Sequence, residues 1–101
     1  MRLPRVGLGC MRLSTEPRSE SDGVAVIHAA LEAGVRLFDT ATAYCAVDTL
    51  GENERLLAKA LALHPRGGEA VIVTKGGLRR PGGAWRPDGR ARSILEDAER
   101  S

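Results

Sequence analysis

The chain reads as an α/β protein, three successive strand-helix units of a parallel sheet, and two features of its 101 residues carry that reading. Short apolar runs alternate regularly with longer stretches of helical periodicity, the pattern that calls for parallel strands joined by crossover helices. The third apolar run, "AVIVTKGG", is β-branched without polar alternation, which suits a parallel strand covered on both faces. The whole of 1–101 is expected to be one partial domain, because the chain shows no linker, repeat or low-complexity tract.

The first strand is "RVGLG", residues 5–9, and it leads into the polar loop "RLSTEPRSES". Ser21 or Asp22 then offers an N-cap, with Val24, Ile27, His28 and Leu31 on one helical face and Gly34 as the stop. "VRLFDTA" is the second strand. In "GENERLLAKALALH" the apolar face is Leu56, Leu57, Ala60, Leu61 and Leu63, with Glu52 and Glu54 near the positive end of the helix dipole and His64 at the other. Pro65 and the pair Gly67 and Gly68 end this helix. The third strand follows, then a loop rich in Gly, Pro and Arg. A last helix, "ARSILEDAERS", sets Ala91, Ile94, Leu95 and Ala98 on one side. No Gly, Asn or Pro closes it, so the sequence is expected to be truncated within its own pattern.

Two folds open this way. A dinucleotide-binding doubly wound sheet needs G-x-G-x-x-G leading straight into a helix. Here Gly7 and Gly9 are present, but Arg12 stands at the third glycine position and a long polar loop follows. The other is the (β/α)₈ TIM barrel, whose chemistry gathers at the C-terminal ends of the strands. Those ends carry Gly9, Cys10 and Met11, then Asp39, then Lys75. Asp39 and Lys75 lie one βα unit apart and are expected on one rim, where a carboxylate and an ammonium can pair. Tyr44, the only tyrosine, sits in the loop between them. Phenol is a poor acid at neutral pH, with a pKa of about 10, and a neighbouring ammonium favours its ionised form. Such a tyrosine can exchange a proton with a carbonyl oxygen.

Taken together, "VGLGCMRLS", "AGVRLFDTATAY", "GENERLLAKAL", "VIVTKGGL" and "RPGGAWRPDGR" make the chain resemble the N-terminal portion of the aldo-keto reductase family. The resemblance implies a barrel of eight βα units, NADPH as cofactor, aldehyde or ketone substrates, and a tetrad of Asp, Tyr, Lys and His. Carried over by motif, it implies catalytic roles for Asp39, Tyr44 and Lys75, and dinucleotide contacts from Gly9, Cys10, Met11 and Asp39. It also puts Tyr44 and Trp85 against the substrate. Cys45 stands where many relatives have glycine. The family's histidine belongs to a fourth strand that these residues do not include. His28 and His64 do not match it, and are expected as a boundary residue of the packed helix face and a helix-end cation.

Composition narrows the alternatives. The chain is 43% hydrophobic and 28% charged with a net charge of +2, ordinary values for a soluble domain. Arg79, Arg80, Arg86, Arg90 and Arg92 form a basic cluster, but one Trp, one Tyr and one Phe give no stacking surface for nucleic acid, and a solvated loop is the expectation. No apolar run approaches the ~20 residues of a membrane span. Cys10 and Cys45 lack metal-ligand spacing, and the cytoplasm is the expected compartment. A complete barrel takes ~250 residues, so the isolated segment is expected to be inactive and to self-associate through its open sheet edges. A non-catalytic reductase-like interaction subunit and a remnant of an interrupted gene are the alternatives.

Overall fold

The computed structural model describes residues 4–16, 19–46 and 49–101. Strands β1 (Gly7–Gly9), β2 (Leu37–Asp39) and β3 (Val71–Val73) form a parallel sheet in sequence order. Helices α2 (Glu20–Glu32) and α3 (Glu52–Ala62) link them, and a one-turn helix α1 (Arg12–Thr15) occupies part of the expected first loop. Beyond β3, β4 (Leu78–Arg79) and β5 (Arg86–Pro87) form an antiparallel ribbon, followed by α4 (Ala91–Arg100). The ribbon was legible only as a loop, because two-residue strands leave no periodicity to read.

Helix α2 begins two or three residues earlier than expected. Its N-cap is Ser19, whose hydroxyl accepts from the Asp22 backbone N–H at 3.1 Å, so Asp22 lies inside the first turn and Ser21 does not cap. Its end follows the sequence reading: Gly34 takes φ +95°, and the Gly34 and Val35 amides donate back to Leu31 and Ala30. That is a Schellman closure, and only glycine enters this backbone region without strain. Helix α3 ends just as firmly. A Cβ on Gly67 would lie 1.8 Å from the Leu61 carbonyl oxygen, so the chain can turn under the helix only as glycine.

The core lies between the sheet and helices α2 and α3, where Ile27, Leu31, Leu57, Ala60 and Phe38 are buried together. Each large side chain there contributes ~1.5–3 kcal/mol by burial. The two helices meet closely at Gly23, where a Cβ would come within 2.8 Å of a Leu56 methyl. His28 joins this seam through a 2.7 Å hydrogen bond to the Ala60 carbonyl.

Two sequence expectations need correction. Strand β3 is not covered on both faces within these residues: Ile72 and Val73, neighbours that point to opposite faces, are both exposed. In α4 the buried residues are Ser93 and Asp97, while Ile94 and Leu95 face outward. Asp97 docks the helix by charge, accepting from the Gly77 N–H at 3.0 Å and from Arg79 at 2.9 Å. Gly76 must lack a side chain for this, since its Cβ would fall 2.9 Å from the Asp97 side chain.

Candidate active site

Strand register decides which side chains share the rim. Gly9, Asp39 and Val73 stand side by side across the sheet. Side chains alternate between faces along a strand, so Lys75, two residues past Val73, returns to the face of Asp39. Backbone pairing reaches that far, because the Thr40 amide donates to Val73 and the Thr42 amide to Lys75. Residues of the opposite parity, Cys10, Phe38 and Thr40, turn toward the helices and are fully buried.

The rim carries one ion pair. Lys75 Nζ donates to Asp39 Oδ1 at 2.6 Å and to the Thr40 carbonyl at 2.8 Å. Its ammonium also lies 5.0 Å from the centre of the Tyr44 ring. Burial works against the charged lysine, but hydrogen bonding to Asp39 and Tyr44 outweighs it and holds the pKa above the ordinary lysine value. Both side chains of the pair are about half exposed, at 46% and 47%, so the ion pair acts on geometry more than on stability.

Tyr44 comes from a packed loop. Ala41, Thr42, Ala43 and Cys45 around it are buried, and the Ser14 hydroxyl donates to the Tyr44 carbonyl at 2.6 Å. Asn53 lies beneath. Its Nδ2 donates to the Cys10 carbonyl and to Ser14 Oγ, both at 2.7 Å, and its Oδ1 accepts from Thr40 Oγ1 at 2.6 Å. One buried amide thus joins the ends of β1 and β2 to α1 and, through Ser14, to the tyrosine loop. In the sequence Asn53 is only a polar residue in "GENE", and nothing there distinguishes it from a solvated first-turn residue.

Trp85, between the two ribbon strands, stands edge-on to Tyr44, with ring centres 6.5 Å apart at 87°. Its ring contacts are with the Tyr44 loop and Arg80. Behind it is Arg80, buried at 8% exposure, with its guanidinium carbon 3.9 Å from the Trp85 ring centre. The basic cluster divides: Arg86, Arg90 and Arg92 are exposed, as a solvated loop requires, with Arg90 pairing to Asp88 and Arg92 to Glu96, whereas Arg79 pairs with the buried Asp97 and Arg80 is enclosed.

Of the first strand's end, Gly9 and Met11 are exposed while the Cys10 thiol points into the core. Burial, and then the Asp39 charge, pushes that thiol up to about 11. The two histidines lie elsewhere, against α2 and α3. Their rings are 5.0 Å apart, and His64 Nε2 meets Glu32 at 2.7 Å. The Arg66 amide donates to His64 Nδ1, so in this arrangement the proton of a neutral ring sits on Nε2, facing Glu32.

A parallel βα sheet with an ammonium, a carboxylate and a phenol gathered at its strand ends is the arrangement of a barrel segment built for chemistry at its rim. The profile of the Aldo/keto reductase family matches residues 5–101, and the chain belongs to that family. It is 37% identical over 79 residues to the 6-dehydroglucose reductase of Novosphingobium aromaticivorans, covering 75% of this chain and 26% of that protein. Identity to the D-threo-aldose 1-dehydrogenase of a Pseudomonas species is 38% over 92 residues, 88% of this chain and 26% of that one. Among solved structures, an aldo-keto reductase from Pseudomonas aeruginosa superposes with a TM-score of 0.73 at 26% identity, over 93% of this chain and 34% of its own. The holo form of an aldo-keto reductase from Bacillus halodurans gives 0.66 at 29% identity, over 94% and 30%. These neighbours are (β/α)₈ barrels, and the present chain is a partial, parallel α/β segment of that fold. It spans about a quarter of the length of the curated relatives described here, 26% in both cases.

Proposed function

We propose that a reductase carrying this segment converts aldehydes or ketones to alcohols with NADPH, and that Asp39, Lys75 and Tyr44 are three of its catalytic residues. The observation that carries this is Lys75, whose ammonium touches the Asp39 carboxylate and faces the Tyr44 ring on one rim. The rim also fits a dinucleotide. A Cβ on Gly9 would meet nothing within 4 Å, and beside it the Asp39 carboxylate is half exposed, leaving an open, polar strip at the strand ends. Gly9, the Cys10 backbone, Met11 and Asp39 would hold the nicotinamide and ribose end. When bound, the reduced nicotinamide supplies a hydride to the carbonyl carbon.

The residues of the chain do the rest. Tyr44 hydrogen-bonds the carbonyl oxygen and gives it the phenolic proton as negative charge develops there. Lys75 stabilises the phenolate left behind, and Asp39 keeps the ammonium charged and aimed. Trp85 forms an aromatic wall for the substrate beside the phenol.

The same reading makes the 101 residues alone inactive and self-associating. Ile72, Val73, Ile94 and Leu95 are exposed together with the free edge of β3, a surface that needs covering. Two free cysteines suit the cytoplasm. The experiment is dinucleotide oxidation by the reductase with a panel of carbonyl compounds. The panel begins with 6-dehydroglucose because one relative is named as its reductase. Turnover of none with either NADPH or NADH sinks the proposal.

A further inference from the structure

Arg80 is the one arginine among the described residues whose whole side chain is enclosed, at 8% exposure. Its side-chain partners flank Tyr44. Nε donates to the Cys45 carbonyl at 3.1 Å and Nη2 to the Ala46 carbonyl at 3.2 Å, the two residues that follow Tyr44. The flat guanidinium also lies 3.9 Å from the centre of the Trp85 ring, within the range where a cation is attracted to an indole face. Trp85 in turn meets Tyr44 edge to face at 6.5 Å. A planar fork is needed to do both jobs at once: its edge serves two carbonyls while its face covers an aromatic ring.

We propose that Arg80 is a positioning residue, a clamp that fixes the Tyr44 loop from behind and holds Trp85 against the phenol, so that one buried cation sets the width of the substrate pocket. The proposal rests on the reading of Tyr44 as the proton donor only for its effect on turnover. The clamp itself is a statement about Trp85.

That makes the test spectroscopic, since Trp85 is the only tryptophan of the chain. Acrylamide quenching and emission maximum are measured for the chain, for Arg80→Met, for Arg80→Lys and for the exposed control Arg92→Met, with far-UV circular dichroism on each sample. The clamp predicts that Arg80→Met raises the quenching constant about twofold and red-shifts the emission, as the indole loses its cover. Arg80→Lys, which keeps the charge and one hydrogen bond, lies between, and Arg92→Met matches the wild type. Wild-type quenching in Arg80→Met overturns the proposal, as does full recovery in Arg80→Lys, which would reduce the role to charge alone. Lys also serves where Met disturbs the fold. In the reductase, the carbonyl kcat/KM of Arg80→Lys falls about tenfold while dinucleotide Kd holds, the mark of a displaced substrate wall. Should Tyr44→Phe leave turnover intact, the proton-donor reading fails, yet the quenching result still judges the clamp by itself.

Discussion

Asp39 and Lys75 are 36 residues apart in sequence and 2.6 Å apart in space, joined by a hydrogen bond across neighbouring parallel strands. The contact follows from register alone. Asp39 stands beside Val73, and Lys75, two residues past the end of β3, faces the same way. The strand ends mark the two residues in sequence, and the order of βα units brings them together.

Below the rim, Asn53 is the residue whose loss should be felt most widely. Asn53→Ala removes three buried hydrogen bonds: the Cys10 carbonyl keeps the Leu13 N–H and the Ser14 hydroxyl keeps the Tyr44 carbonyl, but the buried Thr40 hydroxyl loses its acceptor. Urea unfolding should show a loss of about 2–4 kcal/mol. Thr40→Val should cost less, because the amide keeps both of its donors in use.

Alkaline stability should report Cys10. Folding raises its thiol from 9.0 to about 11, so the unfolded chain ionises first as pH rises. The native state therefore keeps its full advantage below the unfolded value of 9.0 and loses it progressively until the pH passes the folded value of about 11. The loss is on the order of 2–3 kcal/mol, read as the difference in pH slope between wild type and Cys10→Ala. Equal slopes between pH 9 and 11 would contradict the burial that causes the shift.

Helix α4 should detach when its acidic anchor is removed. Asp97→Leu leaves Arg79 and the Gly77 amide without their carboxylate, so that the helix keeps the hydrogen bonds of Ser93 to Arg79 and Asp88 but loses its buried charge. Hydrogen exchange across 91–100 should become fast while α2, packed through Ile27 and Leu31, stays protected. Uniform loss of protection in both helices would instead make α4 part of one cooperative unit.

Sedimentation of the isolated chain should show mass rising with concentration, as the exposed β3 edge and the outward face of α4 meet in a second copy. A monomer at all concentrations contradicts this reading of the apolar surface.

These residues also show where sequence reading works. The three strands, both long helices and the rim set of Asp39, Tyr44 and Lys75 were legible, because periodicity and strand ends are local signals. Gly34 worked as a stop for the same reason. The N-cap of α2 was misplaced because Ser19, Ser21 and Asp22 are all good capping types, and only the backbone selects Ser19. Helix α4 misled through composition: Ile94 and Leu95 look like a core face, but within these residues the helix is held by Asp97. Asn53 and Arg80 were invisible for a common reason. Polar side chains read as solvated until tertiary structure closes over them, and both act through partners distant in sequence.

The central claim is that Tyr44 gives the proton that completes carbonyl reduction. Its most direct test is single-turnover carbonyl reduction by the reductase carrying Tyr44→Phe, with dinucleotide affinity measured alongside. The account predicts a loss of about 10²–10⁴-fold in the reduction step with dinucleotide Kd unchanged. Reduction at the wild-type rate with the phenol removed would contradict it and move the proton source to another group.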